Sequence, residues 1–130
     1  MKSKLLLSGF LVFFVSCFSD YDGEYFNSPS LKYKIKAKVN RTNKEDENYA
    51  YVMIYLYDKN SNLLDSINSR AGDFNKWALG WGEKSDTIIL YSSDIGSKGY
   101  SIKANKMVAL KKITEKINKR AEVIKYNSYK

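Results

Sequence analysis

From residue 31 onward the chain is organised by a regular alternation of apolar and polar positions. Leu31, Tyr33, Ile35, Ala37 and Val39 alternate with Lys32, Lys34, Lys36 and Lys38, the period-two pattern of a strand with one buried and one wet face. A polar stretch without apolar anchors follows, from Asn40 to Asn48. Tyr49 to Tyr57 is then apolar on both faces and rich in β-branched and aromatic side chains, which predicts a central strand. Leu63 to Asn68 returns from it, Phe74 to Trp81 places Trp77, Leu79 and Trp81 on one face, and Asp86 to Ser92 and Tyr100 to Lys103 complete the strand pattern. The period then changes. Leu110, Ile113, Ile117, Ala121 and Ile124 recur at spacings of three and four, predicting an amphipathic helix over Ala109 to Tyr126. Strands followed by a helix predict an α+β fold: one antiparallel β-sheet of five or six strands, mostly a meander, packed by the C-terminal helix.

The connections carry turn chemistry. Asp58, Asn60 and Asn62 match the first positions of a calcium-binding loop, but Leu63 and Ser69 stand where that loop needs Gly and Glu, so a hairpin turn through Lys59 to Ser61 is expected instead. Arg70 to Asp73 reads as a second turn around Gly72. Gly80, Gly82, Lys84 and Ser85 lack the spacing of a phosphate loop, because Glu83 precedes Lys84. Ser92, Ser93 and Asp94, followed by Gly96, form a corner that reads either as a site or as a turn held by side-chain bonds to nearby amides.

Upstream of residue 31 the pattern is different. Lys2 and Lys4 precede an unbroken apolar or small run from Leu5 to Val15, then Ser16 and the chain's only cysteine, Cys17. The run is too short to span a bilayer, which takes roughly 20 apolar residues, and it has the form of a secretory signal peptide. Phe14, Val15, Ser16 and Cys17 resemble the lipobox of bacterial lipoproteins. That resemblance implies cleavage before Cys17 and a lipid on its sulfur. A rival cut before Asp20, with small residues at Cys17 and Ser19, leaves no lipid. Ser19, Asp20, Asp22 and Glu24 form a short acidic tract similar to the export tract of surface lipoproteins of the Bacteroidota. The expected organisation is a signal peptide over 1–16, a lipidated N-terminus and tether over 17–30, and a single domain over 31–130. The resemblance implies a location at the cell envelope, on the outer membrane, facing the periplasm or exposed at the surface.

Charge and composition narrow the chemistry. Removing residues 1–16 takes two lysines from 22 basic residues, leaving 20 against 14 acidic ones, a mature charge of +6. That balance favours anionic partners, and no nucleic-acid motif accompanies it. There is no histidine and no second cysteine, so Ser-His-Asp triads, Cys-His dyads, Cys/His zinc sites and intramolecular disulfides are excluded. No cofactor, metal site or catalytic residue is expected. Catalysis would have to rest on carboxylates or a Ser-Lys pair; Glu83, Asp86 and Asp94 are the nearest acidic set, and no S-x-x-K motif occurs in the chain.

The candidate binding residues are the lysine stripe Lys32, Lys34, Lys36 and Lys38, the tryptophans Trp77 and Trp81, and Asp94. Each has a plainer reading beside it. The stripe can be a solvated face or a strand edge guarded by lysine, the tryptophans core, and Asp94 a turn residue. The basic helix can lie on a membrane or cover the sheet. Gly80 to Gly82, Asp86 to Leu90, Ser92 to Gly96, and Arg120, Ala121 and Tyr126 resemble a pattern recurring in small exported bacterial proteins, some of which are immunity proteins. The expected function is therefore a non-enzymatic, membrane-anchored protein-binding module, an immunity protein or inhibitor with an acidic protein partner. The alternative is a structural or accessory subunit of an envelope complex.

Overall fold

The computed structural model describes residues 19–130; Cys17 and the apolar run before it lie outside the described residues. Strands β1 (Tyr21–Asp22) and β2 (Phe26–Asn27) both pair with β3 (Tyr33–Val39), which pairs in turn with β4 (Tyr51–Asp58), and β4 with β5 (Leu63–Gly72). A second sheet runs β6 (Trp77–Trp81), β7 (Ile88–Ser92), β8 (Lys98–Lys103), β9 (Lys106–Ala109) in chain order. Every pairing is antiparallel. Helix α1 (Glu115–Tyr129) follows. The α+β class and the meander order are as the sequence predicts. The expected single sheet is instead two, of five and four strands, which part at the turn between β5 and β6.

The two sheets bury one face each against the other. Ile35, Ala37, Val39, Val52, Ile54 and Leu56 from the first sheet meet Leu79, Trp81, Ile88, Leu90, Tyr100 and Met107 from the second. These are the in-pointing positions of the period-two pattern. A second cluster lies on the far side of the second sheet, where Ala78 and Ile89 pack on Ala121 and Ile124 of α1. The layers are therefore sheet, sheet and helix. The outer face of the first sheet, carrying Lys34, Lys36, Lys38, Met53 and Tyr55, has no layer over it among the described residues, and these side chains are part-exposed.

Several boundaries differ from the sequence reading for identifiable reasons. Residues 19–30, expected as tether, contribute β1 and β2 and a buried Ser28, whose hydroxyl accepts from the Tyr33 amide. Leu31 does not join the buried face of β3; it sits at φ 64° in the turn before the strand and is 68% exposed. The stretch expected as a turn at Arg70 to Asp73 continues β5 to Gly72, because a bulge with Arg70 at φ 67° absorbs the irregularity. Strand β9 escapes the sequence reading because its hairpin turn is Ala104-Asn105, both at positive φ, without the glycine that usually marks such a turn. The helix consequently starts later than expected. Thr114 caps it, its hydroxyl accepting from the Ile117 amide at 3.3 Å, while Leu110 and Ile113 pack beside Gly99 ahead of it.

Helix α1 is seated by a close approach and by capping of a strand edge. A Cβ on Gly80 would lie 2.9 Å from Ile124 Cδ1, so glycine lets the helix settle onto β6. The edge of β6 facing away from β7 is then occupied from α1. Arg120 Nε donates to the Trp81 carbonyl at 2.9 Å, and the Tyr129 hydroxyl donates to the Trp77 carbonyl and accepts from the Trp77 amide. An edge that would otherwise offer open hydrogen bonds is thereby closed. Among the described residues no helix is long and apolar enough to cross a membrane.

This seating is testable in urea. Ile124→Ala should lower stability by about 2–4 kcal/mol through the cavity it leaves, and Gly80→Val by about 1–3 kcal/mol through overpacking. Because the two side chains share one space, the double variant should lose clearly less than the sum of the two. Strict additivity would mean that the helix does not rest there.

Candidate functional site

The free face of the first sheet brings together three of the four lysines of the stripe. Strand register places Lys34 opposite Tyr57, Lys36 opposite Tyr55 and Lys38 opposite Met53. Their ammonium groups do not stand free above the sheet. Lys36 Nζ lies 4.6 Å from the centroid of the Tyr25 ring, Lys34 Nζ 5.4 Å from the same ring, and Lys38 Nζ 4.7 Å from Tyr55. Arg70, thrown outward by the bulge in β5, stands over Tyr51 at 5.8 Å. Tyr25 and Tyr57 meet edge to face at 5.1 Å. The result is a half-buried surface of interleaved tyrosines and cations. The lysine ammonium groups themselves sit over the rings, as cations do over aromatic faces.

The electrostatics of this face are one-sided. Lys36 pairs with Asp22 at 2.9 Å. The hydrogen bond from Lys36 holds the Asp22 carboxyl below its usual range, and the bond to Asp22 raises Lys36. Lys34 donates to the Ser61 hydroxyl at 3.0 Å. Lys34, Lys36, Lys38 and Arg70 against Asp22 leave +4 − 1 = +3 on the face itself, with Asp58 at its edge, in the electrostatic reach of Lys34. Tyrosine supplies rigid, amphipathic contact area with little entropy to lose.

The fourth lysine is elsewhere. Lys32 precedes β3 in the turn and lines a shallow depression of about 320 Å³ with Lys59, Asn60 and Asn105 at one end of the sheets. The tryptophans also separate. Trp81 is core, 5% exposed, with its indole N–H donated to the Phe26 carbonyl at 2.9 Å. Trp77 is part-exposed and stands at the opposite end. Asp94 ties the β7–β8 turn to the first sheet, accepting from the Gly72 amide at 3.0 Å, while Ser92 Oγ accepts from the Asp94 and Ile95 amides. The Ser92-Ser93-Asp94 corner therefore carries the turn chemistry. Asp86 is likewise engaged, taking the Ser30 amide and hydroxyl. The five residues of β7, about 16 Å of strand, lie between Asp86 and Asp94, well beyond the roughly 5–9.5 Å of a carboxylate pair in glycoside hydrolysis. Among the described residues no group of three or more metal-ligating side chains is placed to hold an ion.

A second concavity of about 360 Å³ opens around Trp77, between β1, β6 and the end of α1. Its wall is built on an ion pair that spacing in the sequence does not suggest. Arg41 grips Asp73 through two hydrogen bonds, Nε to Oδ2 at 2.8 Å and Nη2 to Oδ1 at 3.2 Å. Trp77 Nε1–H donates to the same carboxylate at 3.0 Å. Tyr21 meets Trp77 edge to face at 5.5 Å, and Arg41 lies over the Tyr21 ring at 5.2 Å. Burial works against the charge of Asp73, but the bonds from Arg41 and Trp77 and the guanidinium's field outweigh it and hold the carboxyl below its usual range. The signal for this site would have been two turns brought to one end of the sheets, which the strand order alone does not give.

No protein-family model matches the chain, and no curated protein or solved structure matches it.

Because the folded-state pKa of Asp73 is depressed, its contribution is present above the unfolded carboxylate value near 3.9 and is lost as pH falls below it toward the folded value. Asp73→Asn should therefore lower stability by about 1–2 kcal/mol at pH 7, with the gap from wild type closing as the pH drops below about 3.9. A variant curve parallel to wild type across that window would show that the carboxylate charge contributes nothing.

Proposed function

We propose that this chain is a stoichiometric protein-binding module of the bacterial envelope, held at the outer membrane by a lipid on Cys17, and that it engages an acidic surface of its partner through the Lys34–Lys36–Lys38 face. The observation that carries the reading is the face itself. It is the one sheet face without a covering layer among the described residues, and it interleaves tyrosines with an excess of three positive charges. Aromatic and arginine side chains are the usual anchors of protein interfaces, and a one-signed potential speeds and orients encounter. A toxin carrying an acidic patch is the partner class that fits an immunity protein or inhibitor. An acidic neighbour in an envelope assembly is the partner of the alternative, an accessory subunit. A toxin gene beside this one would favour the first, an envelope-machine operon the second.

Two measurements test this. Labelled fatty acid should enter the wild-type protein and be lost in Cys17→Ala; an unlabelled wild type would remove the anchor. Protein immobilised by its C-terminus should capture a partner from envelope or competitor extracts, faster at low salt than at 0.15 M, where screening acts over about 8 Å. Reversing Lys34, Lys36 and Lys38 to Glu should slow association on the order of tenfold or more at low salt, while Lys32→Glu, outside the face, should change it little. An unchanged rate in the triple variant would assign the lysines to solvation. Chemical conversion of the captured partner at sub-stoichiometric protein would overturn the binding reading.

A further inference from the structure

The concavity around Trp77 has the opposite electrical character to the rest of the molecule. The chain as a whole carries +8. The cleft lining holds one cation, Arg41, and two carboxylates, Asp73 and Glu24, for +1 − 2 = −1. The flanking Asp20, which accepts from the Arg41 amide, and Lys76, which lies over the Tyr129 ring, cancel each other. Arg41 is already neutralised by its two bonds to Asp73. Glu24 has no hydrogen bond or ion pair among the described residues, so its exposed carboxylate is the uncompensated charge.

The walls around that charge are aromatic. Tyr21 and Trp77 stand at 82° to one another and form a corner, with Phe26 and Tyr129 completing the lining. Ring faces carry negative quadrupole potential and attract cations. The site already uses this with its own side chains, Arg41 over Tyr21 at 5.2 Å and Lys76 over Tyr129 at 5.5 Å. The corner is rigid. Trp77 is fixed by its indole bond to Asp73 and by the Tyr129 hydroxyl on its backbone. The volume, about 360 Å³, is that of a small-ligand site.

We propose that this cleft binds a small organic cation, an alkylammonium head, with the rings around its methyl groups and Glu24 as counter-ion. The site is distinct from the lysine face and has the opposite preference, so it is tested apart from any protein partner. The probe is choline, compared with 3,3-dimethyl-1-butanol, which has the same shape without the charge. The mature chain, ¹⁵N-labelled and held in maltoside micelles, gives two indole N–H signals. Trp77 reports the cleft and Trp81, bonded to the Phe26 carbonyl in the core, serves as the internal reference.

Choline should shift the Trp77 indole signal with a Kd on the order of 1–10 mM and leave Trp81 in place. The neutral alcohol should bind at least about fivefold more weakly, the contribution expected of the charge at a part-exposed site. Glu24→Gln, at a side chain with no internal bonds to lose, should reduce choline affinity by a similar factor without changing that of the alcohol. Equal affinity for choline and the alcohol would overturn the proposal in favour of a merely apolar cleft. No shift of Trp77 up to about 100 mM choline, or a shift of Trp81 as large as that of Trp77, would overturn it as well.

Discussion

The architecture depends on one constraint: each sheet has two faces, and the layers formed by the described residues cover three of the four. The inter-sheet core covers two of them, with Ile35, Ile54 and Leu56 against Leu79, Ile88 and Leu90. Helix α1 covers a third through Ala121 and Ile124. The fourth, the outer face of β3 and β4, has no covering layer among the described residues. What the sequence places there follows from that. It needs side chains that cover the sheet without being greasy, and tyrosine rings topped by lysine ammonium groups supply this. The same solution leaves a surface of cations held over aromatic rings. In this way the demands of packing and the proposed binding role converge on one set of residues.

The edges are handled with equal economy. Strands β1 and β2 are only two residues long each, yet together they cover the exposed edge of β3 and set Tyr25 above the lysines. Across the cleft, Tyr129 and Arg120 occupy the outward edge of β6. Asp65 joins β5 to the last strand, accepting from the Met107 amide at 2.8 Å. Polar bonds of this kind add modestly to stability, about 0.5–1.5 kcal/mol each. Their larger effect is to fix where the strands stop and to discourage strand-to-strand aggregation.

Much of this was legible in the sequence, and what was not has physical reasons. The alternation in β3 and the apolar run of β4 declare themselves because their side chains meet a core at every second position. The tyrosine face of β4 also reads correctly as part of a central strand, between β3 and β5, but the apolar count does not separate Tyr57, which is buried, from Tyr51 and Tyr55, which stay part-exposed under cations. Strand β9 hides behind an Ala-Asn turn; the sequence reading leaves Lys106 to Val108 without an element and gives only Ala109 to the helix. Trp77 and Trp81 share a face as their spacing requires, but spacing cannot say that one ends in the core and the other at a cleft. Arg41 and Asp73, thirty-two residues apart, come from two loops of unremarkable composition. Lys32 belongs to the stripe by period and leaves it because the strand begins one residue later, at Tyr33.

Nuclear magnetic resonance mapping of a captured partner tests most directly the proposal that the free sheet face is the working surface. On adding unlabelled partner to ¹⁵N-labelled protein, the expected perturbations cluster on β3 and β4, at Lys34, Lys36, Lys38, Tyr55 and Tyr57, and extend to Tyr25 and Arg70. Perturbations confined to the outer side of α1, around Val123 and Tyr126, with the lysine face unchanged, would contradict it.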